Sequence, residues 1–391
     1  MKAPATRSAA RGPVTGPTRG RWRRGLLRAA VLGLLVSVLA ACAPDAPQDT
    51  FDTAGPFAEA PDQLWNIVFP IAVGVFILVN GILIFAIVRF RRRSDEDDSE
   101  LPRQVAGNTR LEILWTLVPA VILAVIAVPT IQTTFDLAAQ PDDALEVRVV
   151  AKQYWFEFEY LGDEGQDVVT STQLHIPTEQ PVYLHMEALS AQQPDPGGVG
   201  PKEGGAAEGV LHSFWVPRLA GKQDIVPGQV RNMSIQADEV GRYEGQCAQF
   251  CGLSHSRMRF QVIAQEPDEF QAWLDEQSEP AEPADEADED LVAEGEQAFT
   301  EAACIQCHAI EGYEGPDGQA AEVRIGPDLT HFATRDTMAG GFRESNRENL
   351  RAWLEDPQEF KPGAQMPNLI EDEQMDPEQV EPLVEYLMSL E

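Results

Sequence analysis

Four residues with metal-binding side chains lie close together in the segment GQCAQFCGLSHSRM, positions 245–258. They are Cys247, Cys251, His255 and Met258. Thiolate, imidazole and thioether form a soft ligand set, which suits copper better than magnesium or calcium. A single blue-copper ion needs one cysteine and two histidines, whereas two thiolates can bridge two copper ions, each with one histidine and one weaker ligand. The second histidine must come from elsewhere, and His212 in HSFWVP is the best candidate.

The same spacing has another interpretation. C-x-x-x-C alone could be a redox disulfide, or part of a thioredoxin-like copper chaperone with a distant histidine. That interpretation does not explain His255 and Met258 at short spacing from the cysteines. His175 and His185 lie in ordinary strand contexts, and we interpret both as structural.

A second cysteine motif, CIQCH, covers residues 304–308. C-x-x-C-H is the attachment pattern of c-type haem, in which Cys304 and Cys307 form thioethers and His308 ligates the iron. The second axial ligand must come from further along the chain. Its candidates are Met366, His331, Met338, Met375 and Met388.

The N-terminal third of the chain carries membrane and export signals. Residues 63–88 and 113–135 are free of charge, and each run exceeds the roughly 20 residues that cross a bilayer. The basic segment RFRRR between them belongs in the cytoplasm by the positive-inside rule, which puts the rest of the mature chain outside. Residues 1–41 are basic and then apolar, as in a secretory signal. They end in LAAC, which resembles a bacterial lipoprotein processing site with Cys42 as the lipidated residue.

The elements that must position these motifs follow from composition. Residues 141–277 contain short runs rich in β-branched and aromatic residues between Pro/Gly turns, which predict an all-β sandwich. Residues 190–209 are rich in glycine and proline and interrupt this domain as an insertion. Residues 278–290 form an acidic linker. Residues 291–391 contain amphipathic segments such as NLRAWLEDP and predict a small all-α domain, in which Trp353 and Tyr386 pack the pocket or core.

HSFWVP, KQDIVPGQ and CAQFCGLSHSRM resemble the CuA domain of cytochrome c oxidase subunit II. The resemblance covers roughly residues 62–266, and it includes both spans and the segment LEILWTLVPAVIL. It implies a cupredoxin fold in which Cys247 and Cys251 bridge a binuclear copper centre. The remaining ligands that it implies are His212, His255, Met258 and the backbone carbonyl of Gln249.

The same resemblance gives roles to other positions. Glu112 matches a glutamate at the mouth of a proton pathway into subunit I, and Tyr154 and Trp155 lie in the aromatic stretch through which electrons enter. The family commonly has tryptophan where Tyr154 stands. It usually has glutamate where Gln249 stands, as part of a magnesium site, and glutamine is a poorer ligand for that hard cation. Gly209 stands where an acid is often found.

Two C-terminal segments resemble class I cytochromes c. KPGAQMPNL, residues 361–369, is similar to the loop that supplies the methionine ligand, and IGPDL, residues 325–329, to a haem-packing loop. This resemblance favours Met366 as the second axial ligand, with His331 as the alternative.

Together these features predict a multidomain membrane protein with a two-helix transmembrane hairpin, an all-β cupredoxin sandwich and an all-α class I cytochrome c domain. The expected organisation is a signal peptide at 1–41, an exported segment at 42–62, the hairpin at 63–140, the cupredoxin domain at 141–277, the linker at 278–290 and the cytochrome c domain at 291–391.

The resemblance implies subunit II of a caa-type haem–copper oxidase in a bacterial plasma membrane, with both cofactor domains on the outer side. Covalent haem c would take electrons from an upstream cytochrome or quinol-oxidising complex and pass them to CuA and then to subunit I, where oxygen is reduced and protons are pumped. Subunits I and III are the expected partners. The net charge of −34 argues against nucleic acid. The alternatives are a subunit of a CuA-containing nitric oxide reductase, or a stand-alone electron carrier or copper-handling lipoprotein.

Overall fold

The computed structural model describes residues 25, 28–36, 46–91, 106–162, 168–190, 195, 209–281, 283–284, 287–313 and 321–391. Cys42, most of the predicted signal peptide, residues 92–105 of the predicted cytoplasmic loop and most of the 190–209 insertion lie outside the described residues. The chain divides into two compact units, Met1–Ala46 and Pro47–Glu391. In the first unit, residues 28–36 are helical and exposed.

Two long helices precede the β domain, α1 (Pro56–Arg89) and α2 (Thr109–Ala138). Both are long and apolar enough to cross a membrane, with mean hydropathies of 2.9 and 2.5 over their most apolar windows. They pack against each other and leave most of their large apolar side chains exposed, as a bilayer requires. Asn108 caps α2, because its side chain accepts hydrogen bonds from the Arg110 and Leu111 amides.

The middle of the chain folds into two facing five-stranded sheets. The first has the strand order β3-β2-β1-β5-β8 and the second the order β4-β10-β9-β6-β7. The strands of the first sheet are β1 (Leu145–Lys152), β2 (Trp155–Tyr160), β3 (Val169–Ser171), β5 (Val182–Ala188) and β8 (Arg231–Ile235). Those of the second are β4 (Gln173–Pro177), β6 (His212–Trp215), β7 (Lys222–Ile225), β9 (Gly241–Cys247) and β10 (Arg259–Gln265). The pairs β1–β5 and β4–β10 are parallel, and the other pairs are antiparallel.

Aromatic side chains fill the space between the two sheets. The ring of Phe260 in β10 stacks on Phe214 of β6 with centroids 4.5 Å apart, and it meets Phe156 of β2 at 4.9 Å. All three rings are fully buried. Gly245 in β9 lies against the Phe260 ring. Only glycine fits at this position, because a Cβ would collide with that ring. This rigid core holds the strand ends from which the copper-ligand candidates emerge.

The C-terminal domain is small and mainly helical. Its helices are α4 (Glu289–Glu301), α5 (Arg347–Glu355), α6 (Pro357–Phe360) and α7 (Val380–Leu387), and the β domain ends in α3 (Pro267–Gln277). Two short ladders complete the domain, Ala309–Ile310 (β11) with Ala321–Glu322 (β12) and Thr337–Met338 (β13) with Arg343–Glu344 (β14). Helices α4 and α7 cross closely at Gly295, where any side chain would meet the Pro382 carbonyl. The predicted architecture of hairpin, sandwich and helical domain is confirmed.

The acidic segment between the two domains packs along the C-terminal domain. Pro283 pairs with Leu390, the Ala284 amide donates to the Ser389 carbonyl at 2.9 Å, and Ala281 joins the apolar core. The charged composition of this segment indicates an extended chain, and its described residues show that the chain is also held in place.

Candidate copper and haem centres

The copper-ligand candidates come together at one end of the sandwich. His212 begins β6, Cys247 ends β9, and His255 begins a short 3-10 turn, His255–Arg257, that leads through Met258 into β10. Two backbone hydrogen bonds close the loop: the Cys247 amide donates to the Met258 carbonyl at 3.0 Å, and the Ala248 amide to the Ser213 carbonyl at 3.1 Å. The strand ladder therefore fixes both ends of the cysteine loop.

The distances within this group are short. Cys247 Sγ lies 3.9 Å from Cys251 Sγ, 3.8 Å from His212 Nδ1 and 3.2 Å from the Gln249 carbonyl oxygen. Cys251 Sγ lies 3.6 Å from His255 Nδ1 and 3.8 Å from Met258 Sδ. The structure thus brings all six predicted copper ligands together around the two sulfurs.

Burial and charge suit this group to a soft cation. His212 and Met258 are fully buried and both cysteines nearly so. Hydrogen bonding to Cys251 lowers the pKa of the Cys247 thiol to about 3, and the same contact raises the pKa of Cys251. A metal ion bound by the two sulfurs would displace their protons. Among the described residues, His212 Nε2 meets no hydrogen-bond acceptor or donor.

The second motif forms a tight turn in front of a large cavity. Ala303 adopts the left-handed conformation (φ 59°), and the Cys307 and His308 amides both donate to the Cys304 carbonyl at 3.0 Å. His308 Nδ1 lies 2.8 Å from the Pro327 carbonyl. A carbonyl can only accept, so Nδ1 carries the hydrogen and Nε2 keeps its lone pair, as an iron ligand must. Desolvation lowers the pKa of His308, which favours the neutral ring.

The cavity has about 1130 Å³ of empty space, part of it open to solvent, and an almost wholly apolar wall. Cys304, Cys307, His308 and Met366 all line it, which fits a covalently attached porphyrin held by a histidine and a methionine. Gly326 lies against the His308 ring, where a Cβ would collide with it.

Met338, one of the alternative axial candidates, also lines the cavity. His331 does not line it, and its Nε2 lies 2.9 Å from the Glu279 carbonyl oxygen. Met366 Sδ accepts a hydrogen bond from Trp353 Nε1 at 3.0 Å, so Trp353 contacts the candidate ligand itself.

The aromatic stretch lies between the two groups. Tyr154 and Trp155 are 6% and 8% exposed and line the haem cavity together with Gln153. The Tyr154 hydroxyl accepts a hydrogen bond from the Leu253 amide at 3.0 Å, and Gln153 Nε2 donates to the Cys251 carbonyl at 2.6 Å. One short segment therefore forms a wall of the cavity and contacts the copper loop.

Some contributing residues could not be found in the sequence. Gln153 bonds to a distant loop of its own domain and Lys361 bonds across the contact between domains, so no local pattern marks them. Lys361 lines the haem cavity and is almost fully buried, and this burial lowers its pKa to about 7. Gly326 could have been found, because it is the glycine of IGPDL.

Glu112 lies apart from both groups. It is exposed in the first turn of α2, and its carboxylate accepts a hydrogen bond from the Asn108 amide at 3.2 Å. This contact completes a reciprocal cap with the Asn108 side chain.

Three successive segments of the chain match known protein families. Residues 46–133 match the family described as cytochrome c oxidase subunit II, transmembrane domain, residues 145–265 its periplasmic domain, and residues 292–391 the cytochrome c family.

Relatives match over most of their length. Cytochrome c oxidase subunit 2 of Alkalihalophilus pseudofirmus is 36% identical over 368 residues, which cover 92% of this chain and 95% of the relative. The protein of the same name from Bacillus subtilis is 36% identical over 301 residues, 73% of this chain and 76% of the relative. The solved periplasmic domain of subunit II of cytochrome oxidase from Bradyrhizobium japonicum aligns with 36% of this chain and 96% of its own, at 18% identity and a TM-score of 0.29, too low to add to the assignment. The chain belongs to the cytochrome c oxidase subunit II family, in a form with a C-terminal cytochrome c domain, and is an oxidoreductase subunit of a haem–copper oxidase.

Proposed function

We propose that this chain passes electrons from covalently bound haem c to a binuclear CuA centre and on to subunit I of a terminal respiratory oxidase. When bound, the haem and the copper pair would supply the one-electron carriers. Cys304 and Cys307 would attach the porphyrin, and His308 and Met366 would ligate its iron. The proposed copper ligands are His212, Cys247, Cys251, His255, Met258 and the Gln249 carbonyl.

The observation that carries this proposal is the position of residues 153–155. They line the haem cavity and hydrogen-bond to the copper loop at Leu253 and Cys251. A single layer of protein would therefore separate the two centres, and electrons would cross it at Tyr154 and Trp155.

The family supports the partners and the location that we propose. Subunit I is the proposed acceptor and subunit III a further neighbour, in a bacterial plasma membrane with both cofactor domains on the outer side. The donor would be a cytochrome or a quinol-oxidising complex that docks on the strongly acidic cytochrome domain. Glu112 is proposed to lie at the mouth of a proton pathway into subunit I.

The alternative functions have less support. The relatives that cover most of the chain carry the name cytochrome c oxidase subunit 2, which favours oxygen reduction over nitric oxide reduction. Both helices match the transmembrane domain of an oxidase subunit. A stand-alone electron carrier would not need helices of that family.

The copper and haem content of the purified oxidase complex, with its electron paramagnetic resonance spectrum, tests the proposal. We expect this chain to give a signal from two coppers that share one unpaired electron, beside one low-spin haem. Cys251→Ser should abolish the shared copper signal and keep the haem. The reciprocal control, Cys304→Ala with Cys307→Ala, should lose the covalent haem and keep the copper. A single localised copper, or a Cys247–Cys251 disulfide without copper, would contradict the proposal.

A further inference from the structure

Lys361 is a buried cation that joins the cytochrome domain to the copper domain. It follows helix α6, opens the KPGAQMPNL loop and is only 3% exposed. Its ammonium group donates to the Tyr154 carbonyl at 2.6 Å and to the Ala339 carbonyl at 2.7 Å. The first acceptor belongs to the β domain and the second to the cytochrome domain. One side chain therefore connects both domains at the wall of the haem cavity.

The chain beside Lys361 contacts the copper loop directly. Ser254 Oγ donates to the Pro362 carbonyl at 2.5 Å. The neighbouring Leu253 amide donates to the Tyr154 hydroxyl at 3.0 Å. Tyr154 is thus held at both ends, at its carbonyl by Lys361 and at its hydroxyl by the copper loop.

A buried ammonium group is costly, and hydrogen bonds to carbonyls offset the loss of hydration only in part. Burial lowers the pKa of Lys361 to about 7, which reflects that cost. A methionine side chain would fill much of the same space without the cost of burying a charged group. The amine is therefore best explained by its two hydrogen bonds, which hold Tyr154 of the β domain against Ala339 of the cytochrome domain.

We infer that Lys361 is a positioning residue that holds Tyr154 and the methionine-ligand loop in the arrangement in which electrons pass from haem to copper. This inference rests on the proposed function. It assigns the alignment of the two centres to a contact between domains and not to the linker alone.

Lys361→Met in the purified oxidase complex tests the inference. After photoreduction of the haem, its reoxidation by the copper centre should slow by about tenfold or more, because small displacements are costly to reactions that depend on alignment. The absorption spectrum of the haem and the paramagnetic signal of the copper should stay unchanged. The Leu253 amide should exchange its hydrogen faster, since Tyr154 is then held at one end only. The matched control is Lys222→Met, an exposed lysine over the Trp215 ring, which should transfer at the wild-type rate.

A second variant keeps the lysine and displaces its amine. A Cβ at Gly340 (φ +72°) would collide with the Tyr154 carbonyl and lie 2.6 Å from Lys361 Nζ. Gly340→Ala should therefore also slow the transfer. Gly312→Ala is its control, since Gly312 has nearly the same φ (+71°) but lies against Pro280, away from the contact between domains.

The outcomes separate this inference from the proposed function. Wild-type complex without haem c or without the shared copper signal would refute the proposed function. If both centres are present and Lys361→Met transfers at the wild-type rate, only the role of Lys361 is overturned. If the Lys361→Met complex does not assemble, the Gly340→Ala complex provides the test. Slower electron transfer from haem to copper in that complex supports the inference, and transfer at the wild-type rate overturns it.

Discussion

Trp353 lies outside the proposed set of haem ligands but contacts one of its members. Its indole N–H donates to Met366 Sδ at 3.0 Å, and both residues line the cavity. A thioether that accepts a hydrogen bond gives less electron density to a bound iron, which favours the reduced form. The sequence indicated only packing for Trp353, because nothing in its spacing reveals the hydrogen bond.

Trp353→Phe should lower the midpoint potential of haem c. A hydrogen bond of about 0.5–1.5 kcal/mol corresponds to roughly 20–60 mV for one electron. A redox titration of the purified complex, followed by haem absorbance, measures the change. Trp273→Phe, which removes an indole that does not line the cavity, is the control and should leave the potential unchanged. An equal or higher potential in Trp353→Phe would contradict the role of the hydrogen bond.

The candidate ligands were the part of the site most open to prediction. Cys247, Cys251, Cys304, Cys307 and His308 lie in short motifs whose spacing is itself the chemical signal. His212 was already the best candidate for the missing histidine. Met366 was one candidate among several, and only the resemblance to class I cytochromes c favoured it. Lys361 and Gln153 were not predictable, since their partners are distant along the chain and belong to the other domain or to another loop.

The contact between β4 and α3 contains a histidine that should make stability depend on pH. The His175 ring stacks on Trp273 of α3, with centroids 4.0 Å apart, and its Nδ1 lies 2.8 Å from Gln265 Oε1. Burial lowers the pKa of His175 from 6.5 to about 4. Between these values the unfolded chain binds a proton that the folded chain does not. The contribution to stability is therefore complete above pH 6.5 and is lost as the pH falls towards 4.

His175→Phe should keep the ring stack and remove the titration. Between about pH 7 and about pH 5, the free energy of unfolding of the variant should fall by about 2 kcal/mol less than that of the wild type. Amide hydrogen exchange of strands β4 and β10, corrected for the intrinsic effect of pH, measures this difference. Above about pH 7 both proteins should respond equally to pH. Identical losses on acidification would show that His175 does not titrate in this way.

Strand positions were easier to predict than strand environments. The apolar and aromatic runs within residues 141–277 predicted an all-β sandwich, and strands β1 to β10 lie within these residues. However, every residue of β2 is buried, although its sequence WFEFEY alternates as in a half-exposed strand. Glu157 and Glu159 lie within 4.0 Å of Arg324, so the cytochrome domain covers the polar face. A pattern along one strand cannot show which domain will pack on it.

The whole molecule joins its two cofactor domains through an extensive polar contact. Lys152 Nζ donates to the Arg324 carbonyl at 2.6 Å, and Arg335 donates to Ser171 Oγ at 3.0 Å. Asp195, the residue of the 191–208 stretch that the structure describes, accepts two hydrogen bonds from Arg148 at 2.9 Å, and its amide donates to the Arg324 carbonyl. From the sequence alone, the purpose of the insertion was open. Its described residue takes part in the contact between the domains.

This contact limits the routes by which electrons can reach the copper centre. Tyr154 and Trp155 are buried beneath the cytochrome domain, so an external donor cannot dock on them in this arrangement. Electrons should therefore reach copper only through the haem.

The measurement that tests this account most directly is the fate of electrons injected by a photoreductant into the purified complex. In the wild type, haem c should be reduced first, and copper should then be reduced with the same rate constant at which the haem is reoxidised. In the variant Cys304→Ala with Cys307→Ala, which cannot attach the haem, copper reduction should be at least about tenfold slower. Copper reduction at the wild-type rate in that variant, or haem reoxidation without copper reduction, would contradict the account.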